Sequence, residues 1–154
     1  MKVVSNSSPL IFLSAIGMLD LLKDEFGEIL VPEAVYDEVT SNELKGSNEV
    51  RDAGWIKVQT IKNIEALSFM PMLDRGEKSA IVLAIEQDAD LVLLDDMAGR
   101  RAAMMQGLNV IGTLGFMKVM HRKGRIKNLK DVLDDLQKNG FWMAAYLYNS
   151  MLED

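Results

Sequence analysis

Four short polar clusters in the first 100 residues carry side chains suited to chemistry: Ser5-Asn6-Ser7-Ser8, Asp37-Glu38, Asp74-Arg75-Gly76-Glu77 and Asp95-Asp96. Three are acidic. The first presents an amide, Asn6, where a carboxylate would complete the set. Groups so far apart in sequence act together only if the fold gathers them, and gathered carboxylate and amide oxygens form a cage for a hard divalent cation. Other site classes are closed to this chain. It has no cysteine, which excludes disulfides, zinc–thiolate centres and thiol nucleophiles and is compatible with a reducing cytosol. His121 is the only histidine, which excludes a multi-histidine metal site.

The elements that must position these clusters alternate in type. Lys2 to Val4, Glu28 to Val31, Trp55 to Val58, Leu91 to Leu94 and Asn109 to Ile111 read as strands, and the unbroken apolar run at Leu91 suits a central parallel strand. Helices are expected from Ser8-Pro9 to about Leu22, from Pro32 to about Val39, from Asp74 to about Gln87 and from Asp96 to Gln106, with Gly107 as the stop. Three more run from Thr113 to near Gly124, from Asn128 to Asn139 and from Phe141 to Leu152. Thr40 to Asn48 reads as an exposed loop or frayed helix. The pattern predicts an α/β fold with a mostly parallel sheet of about five strands. Ligand sites in such sheets lie beyond the carboxyl ends of the strands. Asn6 follows the first strand there, and Asp95 and Asp96 follow the fourth.

Helix phase sorts the remaining acids. At about 100° per residue, Glu38 falls roughly 60° from the apolar position Val35, and Asp37 about 160° away. Glu38 therefore flanks the core while Asp37 faces solvent. Glu77 stacks on Ile81, Ala84 and Ile85. Structural readings stand beside each functional one. Glu38 also reads as a boundary carboxylate paired with a lysine. Asp74 and Glu77 have the spacing of a capping box. Asp96 is placed to cap its helix through the amide of Ala98 or Gly99, and Arg100 and Arg101 are available as ion-pair partners for the Asp95-Asp96 pair, whose charges otherwise repel. Asn6 also suits a plain turn.

At 154 residues the chain is expected to form one domain, residues 1–154, with the C-terminal helices 128–152 packing on it or forming an interface. Its 49% hydrophobic and 26% charged content is that of a soluble globular protein, with no signal peptide or membrane span expected. A net charge of −6 argues against a nonspecific DNA coat protein. Six basic residues and no acid lie between Lys118 and Lys130. They read either as a phosphate-backbone track or as a solvated helix end favoured by the helix dipole. The stretch from Phe141 to Tyr148 is apolar nearly all round and calls for cover, by the core, a second copy or a partner groove.

The segments VVSNSSPLIFLSAIGMLDLL (3–22), FGEILVPEAVYDEV (26–39), LDRGEKSAIVLA (73–84) and LVLLDDMAGRRAAMMQGLNVIGTLG (91–115) resemble, in that order, the PIN-domain ribonucleases of prokaryotic toxin–antitoxin pairs. The likeness is nearest to a PIN-like nucleic-acid-binding branch. It implies a three-layer α/β/α fold and a magnesium- or manganese-dependent endoribonuclease, cytoplasmic, acting on RNA. A cognate antitoxin and a homodimer are the implied protein partners. The family's catalytic positions fall on Asn6, Glu38, Glu77 and Asp96. Asn6, Glu38, Glu77 and Asp95 or Asp96 are the implied metal ligands. Ser7, Ser8, Arg100, Lys118, Arg122 and Lys123 are the expected substrate contacts. The family carries an aspartate where this chain has Asn6. The same fold without that acid also suits a catalytically weak module that binds RNA or protein. A receiver-like phosphoacceptor is disfavoured, because its acid pair would follow the first strand.

Overall fold

The computed structural model describes residues 1–41 and 45–153. Five strands form one sheet: β1 (Val3–Ser5), β2 (Ile29–Val31), β3 (Ile56–Val58), β4 (Leu91–Leu93) and β5 (Val110–Ile111), all parallel, in the order β3-β2-β1-β4-β5. Strand side chains alternate between two faces, and the core divides accordingly. Val3, Ile29, Val31 and Leu93 join one cluster, while Val4, Val92 and Leu94 join the other. The sheet is thus buried on both sides, as the unbroken apolar runs of a parallel sheet require.

The first face is covered by α1 (Ser7–Ala15), α2 (Asp20–Phe26), α3 (Glu33–Ser41), α4 (Ser47–Asp52), α7 (Thr113–Arg122), α8 (Leu129–Lys138) and the end of α9 (Ala145–Met151). The second face is covered by α5 (Arg75–Glu86) and α6 (Met97–Met105), with Ala80, Ile81, Leu83, Ala84 and Ala103 buried against the strands. A short 3-10 helix, Ile64–Phe69, packs beside α5. The result is the expected three-layer α/β/α arrangement. β1 pairs with β2 on one side and β4 on the other, so the strand order reverses between β1 and β4, and the crevice at their carboxyl ends is the topological switch point.

Several local expectations need correction. The first helix starts at Ser7, with Asn6 rather than Ser8 at its N-cap, so Pro9 sits within the first turn, where its missing N–H costs nothing. That helix does not reach Leu22. Gly17 adopts φ +74° and divides it into α1 and α2, a conformation favouring glycine. Of the stretch Thr40–Asn48, expected as an exposed loop or frayed helix, Thr40 and Ser41 belong to α3 and Ser47 and Asn48 to α4, in line with the helical alternative, while residues 42–44 lie outside the described residues. The last helix begins only at Ala145. Gly140 at φ +94° turns the chain, and Phe141 N–H donates to Leu136 O at 2.9 Å, so Phe141 to Ala144 are not helical. Among the described residues no helix is long and apolar enough to cross a membrane.

Candidate active site

The crevice between β1 and β4 is assembled by backbone pairing. Ser5 is in register with Leu93, and Asn6 N–H donates to Leu93 O at 2.9 Å, extending the ladder one residue beyond β1. Asn6 is buried at 6% exposure, and its side chain makes no capping bond to α1. α3 packs against α5, bringing Glu38 to the N-terminal turn of α5. The meeting point is Gly76. A Cβ there would stand 3.2 Å from Glu38 Oε2, 3.3 Å from Asn6 Oδ1 and 3.6 Å from Asp74 Oδ1. Three hard oxygens from three distant segments therefore crowd one glycine, and any larger residue would push into them. An open groove of about 410 Å³, lined by Ala34, Asp37, Glu38, Asp74, Arg75 and Gly76, leads to this point.

Glu77 occupies the adjoining position. It closes a capping box with Asp74: Glu77 N–H donates to Asp74 Oδ1 at 2.8 Å, and Asp74 N–H donates to Glu77 Oε1 at 3.0 Å. The capping anticipated from sequence is therefore present in this turn. Glu77 is buried, and that burial, with the negative charges of Asp74 and Asp96 beside it, pushes its carboxyl from 4.5 up to about 7, against the opposing pull of the Asp74 N–H. Strong displacements of this kind concentrate at functional sites. Of its expected helical neighbours, Ile81 and Ala84 are buried and Ile85 is 48% exposed.

The two consecutive aspartates have separate environments. Asp96 caps α6, accepting from Gly99 N–H at 2.9 Å, and is otherwise exposed beside Glu77. Both oxygens of Asp95 are engaged elsewhere. Oδ1 accepts from Thr113 N–H at 2.6 Å, and Oδ2 accepts from the hydroxyls of Thr113 and Ser8, each at 2.8 Å. Asp95 therefore ties β4 to the first turns of α1 and α7. Arg100 Nη1 lies close by, 2.7 Å from where a Cβ on Gly112 would be, with Asp95 Oδ1 at 2.9 Å from the same point. Ser7 is buried, and its hydroxyl has no hydrogen-bond partner among the described residues.

Of the expected basic contacts, Arg100 lies at this edge beside Asp95, while Lys118, Arg122 and Lys123 are not brought to the crevice. α7 starts at Thr113 beside Asp95 and runs away from the edge for ten residues, about 15 Å. Lys118 bonds the Met151 carbonyl at 2.6 Å and also that of Glu153, Lys123 pairs with Glu25 at 2.6 Å, and Arg122 lies at the far end of the helix. His121 Nδ1 is bonded to Ile126 O at 2.8 Å. For this run the solvated helix end describes the environment better than the phosphate track. Asp74 was legible only as a cap, yet its carboxylate joins the convergence. Its adjacency to Gly76 was the available signal.

Among the described residues no three His, Asp or Glu side chains close round a single point as a ready-made metal cage. The convergence at Gly76 instead mixes a neutral amide oxygen with carboxylates. The donors suit a hard cation: they are oxygens only, the approach is kept clear by glycine, and Glu77 alongside is raised first by burial and then by the charges of Asp74 and Asp96.

Fold and site together define a three-layer α/β/α domain with hard-oxygen groups gathered at its topological switch point. A family model described as a PIN domain (DUF3368) matches residues 2–154, and the chain belongs to that family, whose fold is of nuclease type. Among curated proteins, none matches the chain significantly.

Proposed function

We propose that this PIN domain is a magnesium- or manganese-dependent endoribonuclease and the toxin half of a toxin–antitoxin pair. The observation that carries the reading is the meeting of Asn6 Oδ1 and Glu38 Oε2 over Gly76, with Glu77 and Asp96 alongside. In this reading Asn6, Glu38, Glu77 and Asp96 hold the cation, and Asp95, whose oxygens are already bonded, positions the edge. Such a cation lowers the pKa of bound water and neutralises charge developing on a phosphate. Glu38 and Asp96 supply fixed negative charge. Glu77, held protonated up to about 7, would have to be ionised to act as a ligand, so affinity for a cation would rise with pH through about 7. Asn6 contributes an oxygen without charge, which weakens the site relative to one with four acids. Trp142 and Tyr146, both exposed near the C-terminus, offer a surface for a second copy or an antitoxin.

The test is cleavage of single-stranded RNA by pure protein with magnesium, with manganese and with a chelator. Expected are cleavage with metal, none with chelator, and a loss of roughly a hundredfold or more in Asp96→Asn. Cleavage that survives chelation, or an Asp96→Asn protein as active as the wild type, overturns the reading. One observation favours a second reading: the amide at Asn6 leaves fewer than the family's four acids. A chain that binds RNA without cutting it under any metal condition is then a PIN-fold binding module.

A further inference from the structure

The acid groove continues into a smaller cleft of about 130 Å³, lined chiefly by Pro32, Ala34, Ile61, Ile64, Leu67 and Arg75. Ala34 and Arg75 line both spaces, so the two form one path with Arg75 at the junction. The walls differ in chemistry. The larger space is bordered by Asp37, Glu38 and Asp74. The smaller sets the apolar side chains of Pro32, Ile61, Ile64 and Leu67 among polar ones, Ser79, Thr60 and Glu33, and the Thr60 hydroxyl donates to Glu33 Oε1 at 2.7 Å. Its room is that of about four waters, enough for one planar ring and too little for a stacked pair.

Arg75 is unusual in this setting. It is the first residue of α5, where the helix dipole disfavours a cation, and it is exposed among acids. Even so, it takes part in none of the ion pairs found among the described residues. A guanidinium with no ion pair among the described residues, between a groove bordered by carboxylates and a cleft walled in part by Ile61, Ile64 and Leu67, matches a ligand with phosphate on one side and a flat ring on the other. Consecutive nucleotides of a single strand have that layout.

We propose that this path seats single-stranded RNA, with Arg75 binding the phosphate next to the one over the acids and the cleft at Ile64 and Leu67 receiving the neighbouring base. The proposal rests on RNA being the substrate. Neither Arg75 nor Ile64 was among the substrate contacts expected from sequence, and both are exposed, so substitution leaves the core intact.

The experiment is fluorescence anisotropy of a short labelled single-stranded RNA, with chelator present so that binding is read without cleavage. Arg75→Gln is expected to weaken binding about fivefold and to reduce the slope of log affinity against log salt by about one phosphate. Ile64→Ser is expected to weaken binding of RNA about threefold and to leave binding of an abasic strand of equal length unchanged. Wild-type affinity and salt slope in Arg75→Gln, an Ile64→Ser effect equal for both strands, or no RNA binding by the wild type each overturn the seat. Parallel cleavage assays separate the two proposals. Cleavage with Arg75→Gln binding unchanged discards the seat and keeps the nuclease. Binding through Arg75 without cleavage keeps the seat and discards the nuclease.

Discussion

Beyond the far end of α7, Lys123 meets Glu25 at 2.6 Å, Arg125 meets Asp24 at 2.7 Å and Lys130 meets Asp134 at 2.9 Å. At the carboxyl edge of the sheet, Glu38 and Asp74 both approach Gly76, Asp74 and Asp96 lie beside Glu77, and among the described residues Arg75 pairs with none of them within ion-pair distance. The first region neutralises its charges locally in exposed pairs that individually contribute little. The second concentrates negative charge where burial makes it costly, to the point that Glu77 holds its proton up to about pH 7. Acids buried without a basic partner point to a site, and charges that cancel in place point to a surface.

The contrast can be broken most forcefully through activity. Asp96→Asn is expected to lose roughly a hundredfold or more of ribonuclease rate, whereas Arg125→Ala, at the paired end, stays within about twofold of the wild type. Equal losses would erase the distinction. Next in size is stability at the edge itself. Asp95→Ala removes three hydrogen bonds and leaves the buried Thr113 without its acceptor, at a cost of about 2 kcal/mol, a fall in Tm of roughly 5 °C. A thermal melt unchanged by this substitution would show that Asp95 does not organise the edge.

The pH dependence sharpens the comparison further. The folded-state pKa of Glu77 lies above its unfolded value, so its contribution to stability is fully present below about pH 4.5 and is lost as pH rises toward about 7. Urea midpoints of metal-free protein should fall across that window, Glu77→Gln should flatten the fall, and manganese should oppose it. At the paired end the sign is opposite. Asp134 is held below its usual range, first by the Tyr148 hydroxyl and then by Lys130, so what it contributes is lost only as pH falls into the acid range. Tyr148→Phe carries the smallest expected effect, a slight fall in the denaturant midpoint, because it removes one part-buried hydrogen bond.

Sequence and structure agree best where short-range patterns decide the outcome. The apolar runs at Val3, Ile29 and Leu91 mark strands, and strand polarity alone puts Asn6 and Asp96 on one edge. Helix phase selected Glu38, and its carboxylate does reach Gly76, but Glu38 is exposed like Asp37 rather than flanking the core, and both line the groove. What escaped notice is non-local or depends on a single backbone torsion. Gly17 and Gly140 divide stretches whose hydrophobicity continues unbroken. The packing of α3 on α5, which recruits Asp74 and sets Arg75 at the mouth of the groove, has no sequence signal in either helix. The run Lys118–Lys130 suggested a nucleic-acid track because charge pattern carries no information about the acids on α2 that lie opposite Lys123 and Arg125.

The central claim is that the edge acids gather a divalent cation, and calorimetric titration of manganese into wild type and Glu38→Gln at pH 7.5 tests it most directly. Saturable binding by the wild type, weakened about tenfold or more in Glu38→Gln and accompanied by proton release, is the predicted result. No binding by the wild type, or equal affinity in the two proteins, would contradict it.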